Sequence, residues 1–369
     1  MWAVEDTAVQ VAWGSLPAGP VEVSASFDSP AANRPSTSQE HSGGPGALIL
    51  SGLPSSTEMT VRVAWFGGET TVETRTLETP PGELLSKIAT ISDLHLGSDH
   101  FGFFKQMRPS PAEPFAFESA HSAISESLDW GAEHLVVKGD AAHHGREEDF
   151  AEFGRLVDAF PSLPISAIPG NHDVDFKGGA PLPQSVGNRG LSYERHVSRV
   201  DLEGVQIILG NTTVEMQGPG SLKPIRSDLL DLCSSADRPV MIVIHQQLQQ
   251  TDPVRYWPPG ISGTESRPFL DDLGRATERA LVTSGHTHRN RARMHRTTLI
   301  TEVASTHHWP GVWAGYAIHE GGIRQVVRRI SSPPVIAWHE YSKNAVMTVW
   351  QRYAAGSVGQ RCISHNWQH

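Results

Sequence analysis

From residue 87 onward the chain carries short, mostly apolar runs at 87–92, 134–137, 205–209 and 240–244, with a weaker fifth at 281–284. Runs such as Val240-Met241-Ile242-Val243-Ile244 leave no polar face, which fits strands buried on both sides. Between them lie helix-like stretches at 116–130 and 147–159. This alternation predicts an α/β layered domain whose ligands sit at the carboxyl ends of strands.

Residues 1–80 read differently. Segments 9–13, 21–27, 59–65 and 71–77 alternate apolar with polar residues, and Gly, Pro and Ser clusters separate them. A period of two with no helical period predicts a small antiparallel sandwich. The segment ends at Thr79-Pro80-Pro81-Gly82, which reads as a hinge. Three units are therefore expected: a β-sandwich at 1–80, a main domain at 81–330, and an extension at 331–369 packed on it. The last 64 residues hold Trp309, Trp313, Trp338, Trp350 and Trp367, too aromatic a set to hang free.

Composition removes several classes. The 30 basic and 40 acidic side chains leave a formal charge of −10, unlike a general nucleic-acid binder. Nine acidic and three basic residues fall in 1–80, so −6 of that charge belongs to the sandwich and −4 to the remainder. Two Cys rule out a disulfide scaffold or a cysteine-built zinc module. No run of about 18 apolar residues suggests a membrane span. The acidic start, Met1-Trp2-Ala3-Val4-Glu5-Asp6, does not read as a secretory signal, and a cytoplasmic setting with reduced thiols is expected.

Each apolar run ends in a potential metal ligand or leads to one: Asp93-Leu94-His95, Gly139-Asp140, His245, and Gly285-His286-Thr287-His288. The stretch 165–170 leads likewise into Asn171-His172-Asp173. In extended backbone, residues two apart point the same way, so Asp93 and His95 can face one ion, as can His286 and His288. Gly139, Gly170 and Gly285 each precede a ligand where a missing side chain permits close approach. Oxygen and nitrogen donors without thiolate favour Mn, Fe or Zn. Two cations need a shared anion to offset their repulsion, and Asp140 can place one oxygen on each. Water held there drops toward a pKa of about 7 and supplies a hydroxide nucleophile.

This ordered set is similar to the calcineurin-like metallophosphoesterase superfamily, over residues 87–305. The resemblance implies a β-sandwich flanked by helices and two divalent metals about 3.5–4 Å apart. It places Asp93, His95 and His288 on one ion and Asn171, His245 and His286 on the other, with Asp140 bridging. It makes His172 the acid near the leaving group and Asp173 its orienting partner. Segment 53–63, running on to 77–80, resembles the second half of a fibronectin type III-like module, although Met59 stands where that family carries a tyrosine. A generic sandwich with no binding role is the alternative.

After Asp140 the family often carries Asp or Asn a few positions on; here Ala141-Ala142-His143-His144 follows. His143 and His144 either touch a neighbouring group or the phosphate, or form a surface pair capping a helix; His307-His308 pose the same question. Specificity is expected in the long loops at 101–117, 176–189 and 246–268. Arg255, Tyr256, Trp257 and Arg267 can stack on a base and hold a phosphate there, or simply pack the loop. Arg289, Arg291 and Arg293 are two apart, so a strand sets them on one face, as a phosphate-gathering stripe or a solvated one. The expected function is a dinuclear metallophosphoesterase, a hydrolase of a small monoester or diester, with a cyclic-nucleotide phosphodiesterase favoured by analogy within the superfamily. A nuclease on the same scaffold is an alternative, and a non-catalytic metal-binding scaffold whose sandwich recruits an unknown protein partner is another. No membrane partner is expected, and nucleic acid is not favoured.

Overall fold

The structure, a computed structural model, describes residues 1–27, 35–102, 107–109, 115–174, 196–251, 257–345 and 347–367. Its main body is built from two six-stranded sheets. In spatial order the first runs Ile165–Ala167, His134–Val137, Leu84–Ile91, Val312–His319, Gly322–Arg329 and Cys362–Asn366. The first three of these are mutually parallel and the rest pair antiparallel. The second runs Val197–Leu202, Val205–Gly210, Val240–Ile244, Ala280–Ser284, Thr298–Glu302 and Arg291–His295, with its four inner strands parallel.

The apolar runs are explained by their two faces. Met241 and Val243 enter the core shared with Ile88, Leu135 and Val136 of the first sheet. Their neighbours Val240, Ile242 and Ile244 enter a second core, against Leu229 of the helix Arg226–Ser234 and Phe269 and Leu273 of the helix Gly263–Ala276. The helices Phe115–Asp129 and Glu147–Asp158 match the sequence expectation to within a residue. They cover the first sheet through Ala120, Ile124, Phe150 and Phe153.

The amino-terminal unit is all β. A three-stranded sheet (Ala3–Val4, Ala8–Leu16, Gly44–Ser51) and a four-stranded one (Ser36–His41, Gly19–Ser26, Glu58–Trp65, Gly68–Arg75) share a core of Val9, Val11, Val21, Val23, Leu50, Val61 and Val63. In the segment 331–369, Trp338 and Trp367 are buried, and Cys362–Asn366 adds an edge strand beside Gly322–Arg329. Both cysteines are free and buried. Among the described residues no helix is long and apolar enough to cross a membrane.

The hinge expected at 79–82 is not one. Thr79 Oγ1 donates to Asp6 Oδ2 at 2.9 Å, and Gly321 N–H donates to the Pro81 carbonyl at 2.8 Å. Next to it, Glu5 takes Arg328 Nε at 2.8 Å and Arg324 at 3.1 Å, Asp6 pairs with Arg324, and Gln10 bonds the Arg329 backbone in both directions at 2.8 Å. Glu5 and Arg324 are only 4% and 5% exposed. These arginines lie in a buried strand because the acids from the chain start neutralise them. Removing one partner of a buried pair leaves the other charge uncompensated. Glu5→Ala is therefore expected to destabilise the protein by about 3–5 kcal/mol. A thermal melt reads this directly, and an unchanged midpoint would show that the two units do not depend on each other.

Candidate metal centre

Every ligand-type motif lies just past the carboxyl end of a parallel strand, three from the first sheet and two from the second. The turns continue the strand ladders: Asp93 N–H bonds the Gly139 carbonyl at 3.0 Å, His95 N–H the Asp140 carbonyl at 2.9 Å, and Gly285 N–H the His245 carbonyl at 3.0 Å. The two sheets are tied below the site by Lys138, whose buried ammonium donates to Ser284 O at 2.8 Å and Thr283 Oγ1 at 3.2 Å. Burial pulls that amine down to about 7.

The extended-backbone reasoning for paired ligands fails on geometry. Asp93, His95, Asp140, His286 and His288 all adopt left-handed backbone, with φ of 54°, 48°, 51°, 65° and 49°. Such residues cost on the order of 1–3 kcal/mol each and persist where the surroundings over-determine them. The turned backbone, rather than strand alternation, aims these side chains inward. Two glycines make the approach possible. A Cβ on Gly170 would fall 2.2 Å from Asp140 Oδ1, and one on Gly285 would fall 1.8 Å from Ser92 Oγ and 2.7 Å from Asp93 Oδ2.

Two donor groups result. Asp93, His95, Asp140 and His288 bring ligand atoms within 4.8 Å of one another, and so do Asp140, His245 and His286. Asn171 joins the second group, its Oδ1 lying 3.3 Å from His245 Nε2. Asp140 belongs to both. Its Oδ2 lies 3.2 Å from His245 Nε2 and 4.0 Å from His95 Nε2, while Oδ1 accepts the His172 N–H at 2.8 Å. Burial opposes the Asp140 charge, yet the His245 and His172 imidazoles hold its pKa well below the carboxylate range. Burial likewise opposes ionised Asp93, and His288 at 3.1 Å holds it down. His95 and His286 are pushed below the ordinary histidine value by burial and by neighbouring imidazoles, His286 to about 4. Neutral rings offer lone pairs. These oxygen and nitrogen donors, converging without thiolate from strained backbone, fit two hard or borderline divalent cations.

His172 lies beside the shared carboxylate. Its Nδ1–H donates to the His143 carbonyl at 2.9 Å. Burial works against its charge, but Asp140 and that carbonyl raise its pKa above the usual value. The orienting role expected of Asp173 is only indirect. Its carboxylate accepts the N–H groups of Gly170 and Ala142, both at 2.8 Å, and of Ala141 at 3.3 Å, which fixes the loop that carries His172. Its charge acts on His172 through space, and its own pKa is pushed up to about 7 by burial and by Asp140.

Among the substrate contacts expected, His143 reaches the site: its Nδ1 lies 3.2 Å from His95 Nδ1 and its ring stacks on His172. His144 is exposed beyond it, with its backbone N–H on Asp149. Arg289 is turned away from the site, buried against Glu302 at 2.7 Å, and Arg293 donates to the Leu248 carbonyl at 2.8 Å. The arginines of the stripe thus have structural partners, Glu302 of the second sheet for Arg289 and Arg291 and the Leu248 carbonyl for Arg293. Arg267 donates to the Gln250 carbonyl at 3.1 Å. Arg255, Tyr256 and the loop 176–189 lie outside the described residues.

A cavity of about 370 Å³ opens over the donors. Asp140, Asn171, His172, His286 and His288 line it together with Phe101, Trp257, Trp350 and Pro219, Pro258 and Pro259. Phe101 opens one of the loops expected to set specificity, whereas Trp350 is expected from sequence only to pack the aromatic tail. Their aromatic character was visible, but only long-range folding brings residue 350 over residue 140.

A layered α/β body whose two sheets deliver Asp, Asn and His donors to a common carboxylate defines a metallophosphoesterase, a hydrolase of phosphoric esters. The chain belongs to the calcineurin-like phosphoesterase family, whose sequence model matches residues 86–290, more than half of its length. Among curated proteins none matches this sequence. Among solved structures, a dimetal phosphatase from Danio rerio is similar in fold, with a TM-score of 0.50 at 12% identity, over 68% of this chain and 98% of that one. A purple acid phosphatase from yellow lupin (Lupinus luteus) seeds aligns with a TM-score of 0.48 at 13% identity, over 89% of this chain and 71% of that one.

Proposed function

We propose that the protein hydrolyses a small phosphate monoester or diester at a dinuclear centre. The observation that carries this reading is the double membership of Asp140 in two converging donor groups. Asp93, His95 and His288 would hold one divalent ion, Asn171, His245 and His286 the other, and Asp140 both. When bound, such a pair polarises phosphoryl oxygens and supplies a hydroxide nucleophile near neutral pH.

The remaining work falls to the chain itself. His172, anchored through Nδ1 on the His143 carbonyl, keeps Nε2 to deliver a proton to the departing oxygen. Its raised pKa keeps it charged closer to neutral pH. Asp173 holds the loop backbone that sets this aim. The cavity lies at the small end of ligand pockets, which run from roughly 300 Å³ upward, and so suits a small ester better than a polymer. Its described lining contains no Lys or Arg, and Phe101, Trp257 and Trp350 suit a flat leaving group. A cyclic nucleotide is the favoured special case.

A hydrolysis panel tests this. It compares a monoester, a linear diester and cyclic nucleotides with Mn²⁺, Fe²⁺, Zn²⁺ or no metal added to chelator-treated protein. Metal-dependent turnover of at least one small ester is expected, with little change between 50 and 200 mM salt. Absence of hydrolysis under every metal would defeat the enzyme reading. Cleavage confined to polynucleotides, steeply weakened by salt, would favour a nuclease instead.

A further inference from the structure

The two donor groups are supported from behind in different ways, and this is legible from the hydrogen bonds of the outer ring nitrogens. The Trp309 carbonyl can only accept, and His308 Nδ1 lies 2.9 Å from it, so His308 carries its proton there. The buried neutral ring then presents a lone pair at Nε2, 2.5 Å from His288 Nδ1. His288 must donate at that contact. With an ion in place, Nε2 would be the atom that offers it a lone pair; it lies 3.1 Å from Asp93 Oδ1 and 3.3 Å from His95 Nε2.

The same logic applies to His95. Its Nε2 faces the donor group, so a ligating His95 would carry its proton on Nδ1, 3.2 Å from His143 Nδ1, which would accept it. His143 is fixed in turn by its backbone, whose N–H bonds the Leu96 carbonyl at 2.9 Å. The phenyl ring of Phe101 stacks flat on His308 at 3.4 Å between centroids and holds that ring in plane. The other donor group uses main chain. His245 Nδ1 donates to the Lys138 carbonyl at 2.7 Å, and His286 Nε2 to the Pro259 carbonyl at 3.1 Å.

We infer that His308 and His143 are positioning residues that set the tautomer and ring orientation of His288 and His95, and so control retention of the ion on the Asp93 side alone. This rests on the dinuclear reading. An outer hydrogen-bond partner fixes which nitrogen of a ligating imidazole is free, and its loss typically weakens metal binding about 10–100-fold. Here that loss is confined to one half of the centre, because the opposite half relies on carbonyls that no side-chain change removes.

The test is Mn²⁺ binding by the full chain after chelator treatment, measured by calorimetric titration and by electron paramagnetic resonance. Wild type is expected to take two Mn²⁺ and to give the spectrum of a coupled pair. His308→Ala should weaken one ion about 10–100-fold, leave the other unchanged, and show an isolated Mn²⁺ signal at one equivalent. His308→Gln, whose amide oxygen can accept from His288 Nδ1, should recover most of the lost affinity. Thermal melts of the metal-free proteins check folding. Should His308→Ala not melt cooperatively, His143→Ala carries the same expectation from the other ring. Both ions binding His308→Ala as tightly as wild type would overturn the inference, as would equal weakening of the two or no recovery with Gln. A wild type that binds fewer than two Mn²⁺ would instead defeat the dinuclear reading itself.

Discussion

Asp140→Asn is expected to lose at least one of two bound metal ions and to lower kcat by at least about 10³-fold on any substrate the wild type hydrolyses. The size follows from position. Asp140 is 1% exposed and stands between both donor groups, so its charge would be what lets two cations sit side by side. Asparagine keeps the shape but replaces one oxygen with an N–H donor. Either Oδ2 is lost, 3.2 Å from His245 Nε2, or Oδ1 is lost and the His172 N–H goes unpaired. Metal content and turnover measured on one preparation decide the matter. Two ions retained with wild-type turnover would remove Asp140 from its assigned place.

His172→Ala is expected to behave differently. Its kcat should fall about 10²–10⁴-fold while metal content holds, because the ring lies beside the donors without belonging to the two Asp140 groups. His172 does fall in a third cluster with His95 and His143, stacked on His143 and edge-on to His95. The distinguishing readout is the leaving group. An alkoxide needs the proton and a nitrophenolate barely does, so the deficit should shrink with the better leaving group. An equal deficit for both esters, or loss of metal, would assign His172 a structural role.

Much of this site is legible in the sequence. Residues 240–244 announced a strand covered on both faces, and they do alternate between two cores. The strand ends carried the donor types in the order in which the structure assembles them. What remained hidden depends on contacts remote in sequence. Nothing local predicts that five donors take left-handed backbone, since each is placed by turns that another strand completes. Arg324 and Arg328 sit in a strand that polarity alone would send to solvent, yet Glu5 and Asp6 neutralise them from more than 300 residues away. Arg289 shows the converse: its spacing with Arg291 and Arg293 left a phosphate-gathering stripe or a solvated face open, and Glu302 buries it instead. The pairing of His288 with His308 was equally beyond reach, although the histidine doublet itself was conspicuous.

The central claim is a pair of ions sharing Asp140. Anomalous diffraction from Mn²⁺-loaded crystals measures this directly. Two peaks about 3.5–4 Å apart are expected, one among Asp93, His95 and His288, the other among Asn171, His245 and His286, with Asp140 between them. A single peak, or two peaks without Asp140 between them, would contradict it.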